Sequence, residues 1–123
     1  GPDDAGVRGS RLFPCWERAT LRAMRIIARS TLVAFGRSHP DSRASLEHWE
    51  RIVRRAHWQS PQEVLQDFAK AKVVSADRIR FEVSGGSYRL IVAFRFDLQI
   101  AFVKFLGTHA DYDRIDALTV SQF

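Results

Sequence analysis

A histidine and a tyrosine lie close together near the carboxyl end of the chain, within residues 107–113. Thr108 followed three residues later by Asp111 has the pattern of a capping box, so we expect a short helix to begin there. His109 and Tyr112 then share one face, because residues three or four apart are neighbours on a helix. An imidazole can give or take a proton near neutral pH. An alternative interpretation without chemistry is that His109 caps backbone groups and Tyr112 packs its ring.

Two cations on the preceding strands, Arg89 and Lys104, are expected beside this pair. Cleavage of RNA without a metal ion needs a base for the 2′-hydroxyl, an acid for the leaving 5′-oxygen, and cations that hold the phosphate. Arginine offers phosphate a bidentate fork, whereas lysine acts as a point charge. The four residues together therefore indicate RNA cleavage as one candidate chemistry.

The strands that position these cations follow from alternating apolar and polar residues after residue 78. If Gly85 and Gly86 form a two-residue hairpin turn, three successive apolar pairs face one another. If Asp97 and Leu98 form a second such turn, the next strand continues the same apolar face. The expected pairs are Val83–Tyr88, Phe81–Leu90, Ile79–Val92, Leu90–Phe105, Val92–Val103 and Phe94–Ala101.

The opposite face of the predicted sheet is rich in basic residues, and we call it the basic face. It places Arg89 across from Glu82, either as an ion pair that orients the guanidinium or as an idle surface pair. Lys104 is expected across from Ile91. Tyr112 or a phenylalanine of this face is a candidate to stack on a base. We assign RNA contacts to four further residues of the basic face, namely Arg78, Arg80, Arg95 and Phe102.

Amphipathic patterns before the hairpins predict one strand and three helices. The strand covers residues 24–28. The first helix covers 31–38 and is capped by Ser30, the second is capped by Asp41 or Ser42 and runs to about His57, and the third covers 61–69 with a Ser60–Glu63 capping box. This order indicates an α+β fold, with an antiparallel sheet of about four strands, helices packed on one face and a short C-terminal helix. The helices are expected to cover the apolar face and leave the basic face open.

Composition narrows the possible functions. A chain of 123 residues has room for one domain with a modest core. Its net charge of +5 favours a polyanionic partner, with nucleic acid ahead of a membrane surface or an acidic peptide. The alternative is a mildly basic domain that binds no nucleic acid.

Metal-binding and membrane-spanning patterns are missing from the sequence. Cys15 is the single cysteine, which excludes an intrachain disulfide and a Cys-rich zinc site and suits a reducing compartment. His39, His48 and His57 have no second ligand close by, so we expect no metal site and no cofactor. No apolar run could span a bilayer, and the amino end lacks a signal-peptide pattern, so we expect a cytoplasmic protein without a membrane partner.

Three stretches, YRLIV at 88–92, FVKF at 102–105 and GTHADYD at 107–113, carry a pattern that includes the motif THxxYD. They resemble the HigB toxin family, part of the wider RelE/ParE group of toxins from type II toxin–antitoxin pairs. The resemblance implies a RelE/ParE-like (microbial RNase-like) fold. We interpret residues 23–123 as the toxin domain and residues 1–22 as an N-terminal extension, whose Gly-Pro start resembles a protease-cleavage remnant from expression.

The resemblance also implies a function, a ribosome-dependent mRNA endoribonuclease that inhibits translation without a metal. Its implied partners are the ribosome, mRNA and a HigA-type helix-turn-helix antitoxin that neutralises it. By position, the resemblance assigns cleavage to Arg89, Lys104, His109 and Tyr112. Lys104 stands where related toxins often have arginine, which keeps the charge and loses the fork. Two alternatives are a non-catalytic toxin of the ParE type, which inhibits gyrase, and a basic RNA- or DNA-binding module.

Overall fold

The computed structural model describes residues 24–123, so the predictions made for residues 1–22 and for the domain boundary lie outside the described residues. The strands are β1 (Arg25–Ile27), β2 (Lys72–Val73), β3 (Arg78–Val83), β4 (Tyr88–Arg95) and β5 (Ile100–Thr108). The helices are α1 (Arg29–Ser38), α2 (Arg43–Arg55), α3 (Pro61–Asp67) and α4 (His109–Tyr112), with a short 3₁₀ helix at Pro40–Ser42.

The strands of this part of the chain form one sheet in the order β1-β5-β4-β3-β2. β1 is parallel to β5, and the other neighbours are antiparallel. The predicted α+β fold with a mainly antiparallel sheet and a short C-terminal helix is confirmed. Within residues 24–123 the sheet has five strands rather than about four, because Lys72–Val73, which was expected in a connector, pairs with β3.

The first hairpin, between β3 and β4, has the predicted register. Val83 pairs with Tyr88, and the two pairs that precede them in β3 also match the prediction. Gly85 and Gly86 both have positive φ, 67° and 100°, as the central residues of a tight hairpin turn require. Glu82 therefore lies directly across from Arg89.

The second hairpin, between β4 and β5, matches the predicted register only near its turn. The pairs Phe94–Ala101 and Val92–Val103 form, and a β-bulge follows between Ile91 and Val92. Beyond the bulge Ile91 pairs with Phe105, and Leu90 pairs with Leu106. The predicted pairs Leu90–Phe105 and Lys104–Ile91 are therefore wrong.

The bulge has a simple physical consequence for β5. Lys104 is the extra residue of the bulge. Each residue that follows it in β5 therefore points to the face of the sheet opposite to the predicted one. Phe105, which was expected in the main core, thereby joins Ile91 on the basic face, where both are buried. The basic face thus has an apolar centre.

The helices pack on the other face, as predicted, and their apolar residues meet the strands there. Trp49 of α2, for example, meets Phe81 of β3 edge to face at 5.5 Å between ring centroids. The main core of the described residues contains Leu46, Trp49, Val53, Trp58, Val64, Ile79, Phe81, Leu90, Val92, Phe94, Ala101 and Val103, among others.

The helix ends differ in detail from those predicted. Ser30 lies inside α1 rather than capping it, and α2 stops at Arg55 because the next residue is extended. The predicted capping box of α3 is wrong, since the Ser60 side chain makes no capping bond. Glu63 instead accepts a hydrogen bond from the backbone N–H of Gln59 at 3.1 Å.

The segment after α4 crosses the basic face at one end. The carbonyls of Ala117 and Val120 accept hydrogen bonds from Nη1 of Arg78, at 3.1 and 2.8 Å. Gln122 bonds to the backbone of β5, donating its N–H to the carbonyl of Lys104 at 2.8 Å. The prediction that the basic face is left open is therefore wrong for the end nearest Arg78.

Candidate functional site

The short helix α4 begins where the sequence predicts and is fixed by its own side chains. The backbone N–H of Asp111 donates to Oγ1 of Thr108 at 3.1 Å, and the N–H of Thr108 donates to Oδ2 of Asp111 at 3.3 Å. Gly107 precedes this box, and a Cβ there would lie 2.9 Å from the ring of Phe105 and 3.1 Å from Cβ of Asp111. Glycine therefore lets the helix start pack closely on β5 and sets the direction in which Tyr112 projects.

Tyr112 meets two arginines on the basic face. The centroid of its ring lies 5.6 Å from Cζ of Arg80 and 6.0 Å from Cζ of Arg89, within the range of a cation–π interaction. Glu82 lies between the two guanidiniums, and its Oε2 is 3.6 Å from Arg80 and 3.3 Å from Arg89. We call Arg80, Glu82, Arg89 and Tyr112 the arginine cluster.

The two guanidiniums of the arginine cluster are largely shielded from water. The side chains of Arg80 and Arg89 are 16% and 12% exposed. The Nε atom of each is buried and finds no hydrogen-bond acceptor within residues 24–123. Such partly desolvated cations attract a phosphate more strongly than solvated surface cations do.

His109 lies on the same helix as Tyr112 and is exposed. Its Nδ1 is 3.2 Å from Oδ2 of Asp113, one turn later. When the imidazole is neutral, this contact favours the tautomer with the proton on Nδ1, which leaves Nε2 as the acceptor. The structure therefore offers an imidazole oriented by Asp113 on the same short helix as the phenol of Tyr112.

Lys104, the second predicted catalytic cation, lies on the basic face apart from the arginine cluster. Its Nζ is 5.5 Å from the ring centroid of Phe102. Arg89 pairs with Gly107 of β5, and Lys104 lies three residues before Gly107 on the same strand. Three residues of a strand span about 10 Å, so the backbone of Lys104 is well separated from that of the arginine cluster along the strand. The structure thus brings Arg89, Tyr112 and Arg80 together, and pairs Lys104 with Phe102 at a separate point of the face.

The remaining predicted RNA contacts have different surroundings. Nη1 of Arg78 is bonded to two carbonyls of the C-terminal segment, as described above. Arg95 is exposed and forms two hydrogen bonds with Asp97, at 3.1 and 2.9 Å. These bonds hold the pKa of Asp97 below its usual range and raise the pKa of Arg95. The RNA contacts assigned to both arginines remain predictions.

One polar contact was missed from the sequence and fixes the start of β4. The hydroxyl of Tyr88 donates to the Asp41 carboxylate, 2.9 Å from each oxygen, and this hydrogen bond raises the pKa of Tyr88. His39 stacks on Phe35 at 4.1 Å and meets the ring of Tyr88 at its edge. Because these residues are far apart in sequence, no local pattern indicates the contact, which is structural in character.

No group of three or more His, Cys, Asp or Glu side chains suited to a metal ion occurs within residues 24–123. In the same range no helix is both long and apolar enough to cross a membrane. A groove of about 330 Å³ lies between α1 and α2, on the helical side of the sheet and away from the arginine cluster.

A family model matches residues 42–115, which is more than half of the chain. It describes the HigB toxin, the RelE-like toxic component of a toxin–antitoxin system. The matched range includes the whole arginine cluster, Lys104 and His109. A search of curated proteins found no match to the chain.

Proposed function

The chain belongs to the HigB toxin family, the RelE-like toxic components of toxin–antitoxin systems, and we propose that it cleaves mRNA on the ribosome. The observation that carries this proposal is the arginine cluster, in which two shielded guanidiniums lie against a phenol ring, and the same short helix that carries this phenol also carries His109. These are the groups that RNA cleavage without a metal requires.

In the proposed reaction the 2′-oxygen attacks the phosphorus while a base takes the 2′-hydroxyl proton. The bond from phosphorus to the 5′-oxygen breaks, and an acid protonates that oxygen. The products are a 2′,3′-cyclic phosphate and a 5′-hydroxyl. His109 and Tyr112 supply the base and the acid, and Arg89 holds the phosphate and offsets the charge that develops on it.

The rest of the basic face supports the path of the strand. Lys104 offers a further phosphate contact, and Phe102 beside it offers a ring on which a base can stack. Arg95 lies exposed near the second hairpin turn, within reach of a more distant phosphate. The net charge of +5 favours such contacts along the strand.

The ribosome has a physical role in this proposal. His109 is exposed, and its carboxylate partner Asp113 is exposed as well, so neither group is enclosed in a pre-formed pocket. Alignment of the 2′-oxygen with the scissile phosphate therefore has to come from the bound mRNA and ribosome. Such alignment can remove much of the reaction barrier.

A toxin of this family is paired with an antitoxin. We propose that the antitoxin is a helix-turn-helix protein of the HigA type and that the toxin acts in the cytoplasm, where ribosomes and mRNA are found. Co-purification of the toxin with the product of an adjacent small gene would test the pairing.

The experiment that tests the proposed reaction compares the wild type with His109→Ala and Tyr112→Phe in a translating extract. Cleavage sites on the translated mRNA are mapped by primer extension. We expect discrete cuts with the wild type and a rate about 10²- to 10⁴-fold lower with each variant, the usual effect of losing an acid or a base. His48→Ala, on the helical side, is the matched control and should cleave like the wild type.

Wild-type cleavage that persists in both variants would overturn the assignment of His109 and Tyr112. If the wild type arrests growth without cutting mRNA, inhibition of gyrase supercoiling would identify a toxin of the ParE type instead.

A further inference from the structure

The arginine cluster contains a carboxylate that bridges two like charges. A single oxygen of Glu82, Oε2, contacts Nη2 of Arg80 and Nη1 of Arg89. The register explains the arrangement, because Glu82 lies across from Arg89, and Arg80 is two residues earlier on the same face of β3.

This bridge differs from an ordinary surface ion pair. The side chain of Glu82 is 26% exposed, and both arginine partners are less exposed still. The first hairpin turn closes over the pair, since the carbonyl of Gly86 accepts a weak hydrogen bond from Nη1 of Arg89 at 3.4 Å. A Cβ at Gly86 would lie 3.4 Å from Oε1 of Glu82 and 3.5 Å from Arg89. The turn and the carboxylate together hold the guanidinium in place.

The ring of Tyr112 also bounds the two guanidiniums. That ring is itself held by α4 and lies 6.2 Å from the ring of Phe105, between centroids. Within the described part of the chain, residues 24–123, Nε of Arg80 and Nε of Arg89 have no acceptor. A buried donor without a partner is costly, so the arrangement persists only because neighbouring groups hold it.

The net charge of Arg80, Arg89 and Glu82 indicates which ligand this arrangement would bind. Two guanidiniums and one carboxylate leave a single positive charge, which matches the single negative charge of an RNA phosphate. Cleavage raises the negative charge on the phosphate oxygens in the transition state, and two preorganised guanidiniums stabilise that charge better than one. Without Glu82, mutual repulsion would drive the two cations apart.

We propose that Glu82 is a positioning residue that holds Arg80 and Arg89 as a pair for one scissile phosphate. Arg80 then becomes a second phosphate-binding cation of the reaction, beside Arg89. This inference rests on the proposed function, since it assigns roles within the same site.

The variant Glu82→Gln distinguishes a positioning role of Glu82 from a purely electrostatic effect of its charge on RNA binding. The variant removes one negative charge, so electrostatic attraction alone predicts equal or tighter RNA binding. If Glu82 positions Arg80 and Arg89, the variant should instead slow the cleavage step. We therefore expect kcat for cleavage of ribosome-bound mRNA to fall about 10- to 100-fold while KM stays equal or decreases. A carboxylate that only stabilises the fold would leave kcat of the folded protein unchanged.

Asp97→Asn is the matched control. It makes the same change of charge in the turn between β4 and β5, and Asp97 contacts Arg95 rather than the arginine cluster. We expect this variant to keep the kcat of the wild type. An equal fall of kcat in both variants would overturn the proposal, because the effect would then follow from charge alone. Thermal unfolding of both variants verifies that the proteins compared are folded.

A second measurement does not depend on cleavage. NMR of the arginine Nε–H groups, assigned with Arg80→Lys and Arg89→Lys, reports their order while a single-stranded oligoribonucleotide is added. We expect two resolved signals that shift with RNA in the wild type, and signals at the averaged position of exposed arginines in Glu82→Gln. Unchanged signals in Glu82→Gln would overturn the proposal. If the wild type cuts no mRNA, the proposed function fails, and this measurement alone decides whether Glu82 positions the two arginines.

Discussion

The two ends of the basic face carry the same residue type in opposite situations. At one end Nη1 of Arg78 is bonded to the carbonyls of Ala117 and Val120, so the C-terminal segment covers the cation. Towards the first hairpin, Arg80 and Arg89 keep Nε atoms that find no acceptor among residues 24–123. All three arginines lie on the same face of adjacent strands. The face of a strand thus decides where an arginine points, and the groups packed around it decide which of its N–H donors already have an acceptor.

The largest effect expected from this comparison concerns Arg89. Arg89→Ala should lower the rate of mRNA cleavage about 10²- to 10³-fold, the usual cost of losing one preorganised contact to a developing oxyanion. Arg89→Lys should also be impaired, because lysine lacks the bidentate fork. The measurement is the cleavage rate on translating ribosomes. Cleavage at the wild-type rate by Arg89→Ala would remove the functional distinction between the two ends of the face.

Substitution of Arg78 should lower the stability of the protein and leave its cleavage rate nearly unchanged. Arg78→Ala leaves two carbonyls of the C-terminal segment without their donor, so we expect a loss of about 1–3 kcal/mol in the free energy of unfolding. Its cleavage rate, measured at a temperature where it is folded, should stay near that of the wild type. Denaturant unfolding measures the first quantity, with Arg95→Ala as the control because its partner Asp97 is exposed. A stable Arg78→Ala that binds RNA poorly would show that Arg78 contacts RNA, as the sequence suggested.

The sequence predicted the local features of the site and missed the long-range ones. The Glu82–Arg89 pair and the capping box at Thr108 were predictable, because each depends on residues a few positions apart. The bulge at Lys104 was not, since its neighbours are apolar on both faces and the alternation does not reveal an extra residue. The bond from Arg78 to Val120 joins residues 42 positions apart, and no local pattern encodes it.

Gly107 tests how tightly α4 is set against β5. Gly107→Ala would bring a Cβ to 2.9 Å from the ring of Phe105 and 3.2 Å from Oδ2 of Asp111. Overpacking of this kind typically costs about 1–3 kcal/mol, and here it should also displace Tyr112 from the two arginines. We expect lower stability by thermal unfolding together with slower cleavage. Ser87→Ala, in the exposed hairpin turn, is the control. Wild-type cleavage by Gly107→Ala would show that the position of Tyr112 is not critical.

The smallest effect is expected for Tyr88, on the helical side. The hydrogen bond to Asp41 raises the pKa of Tyr88, so the folded protein holds the phenolic proton more tightly than the unfolded chain does. Its stabilising contribution is therefore present below the ordinary tyrosine pKa of about 10 and is lost as the pH rises above it. Tyr88→Phe should be less stable than the wild type at pH 7, and this difference should shrink above pH 10. Denaturant unfolding at several pH values measures it. If the difference in stability between the wild type and Tyr88→Phe does not change with pH, the phenolic proton of Tyr88 does not contribute to stability.

The chemistry of the cut ends tests the central claim most directly. mRNA recovered from a translating extract with the wild-type protein should carry 2′,3′-cyclic phosphates and 5′-hydroxyls at the cleavage sites, and an extract with Arg89→Ala should contain few such ends. Cleavage that leaves 5′-phosphates, or intact mRNA in the presence of the active toxin, would contradict the mechanism.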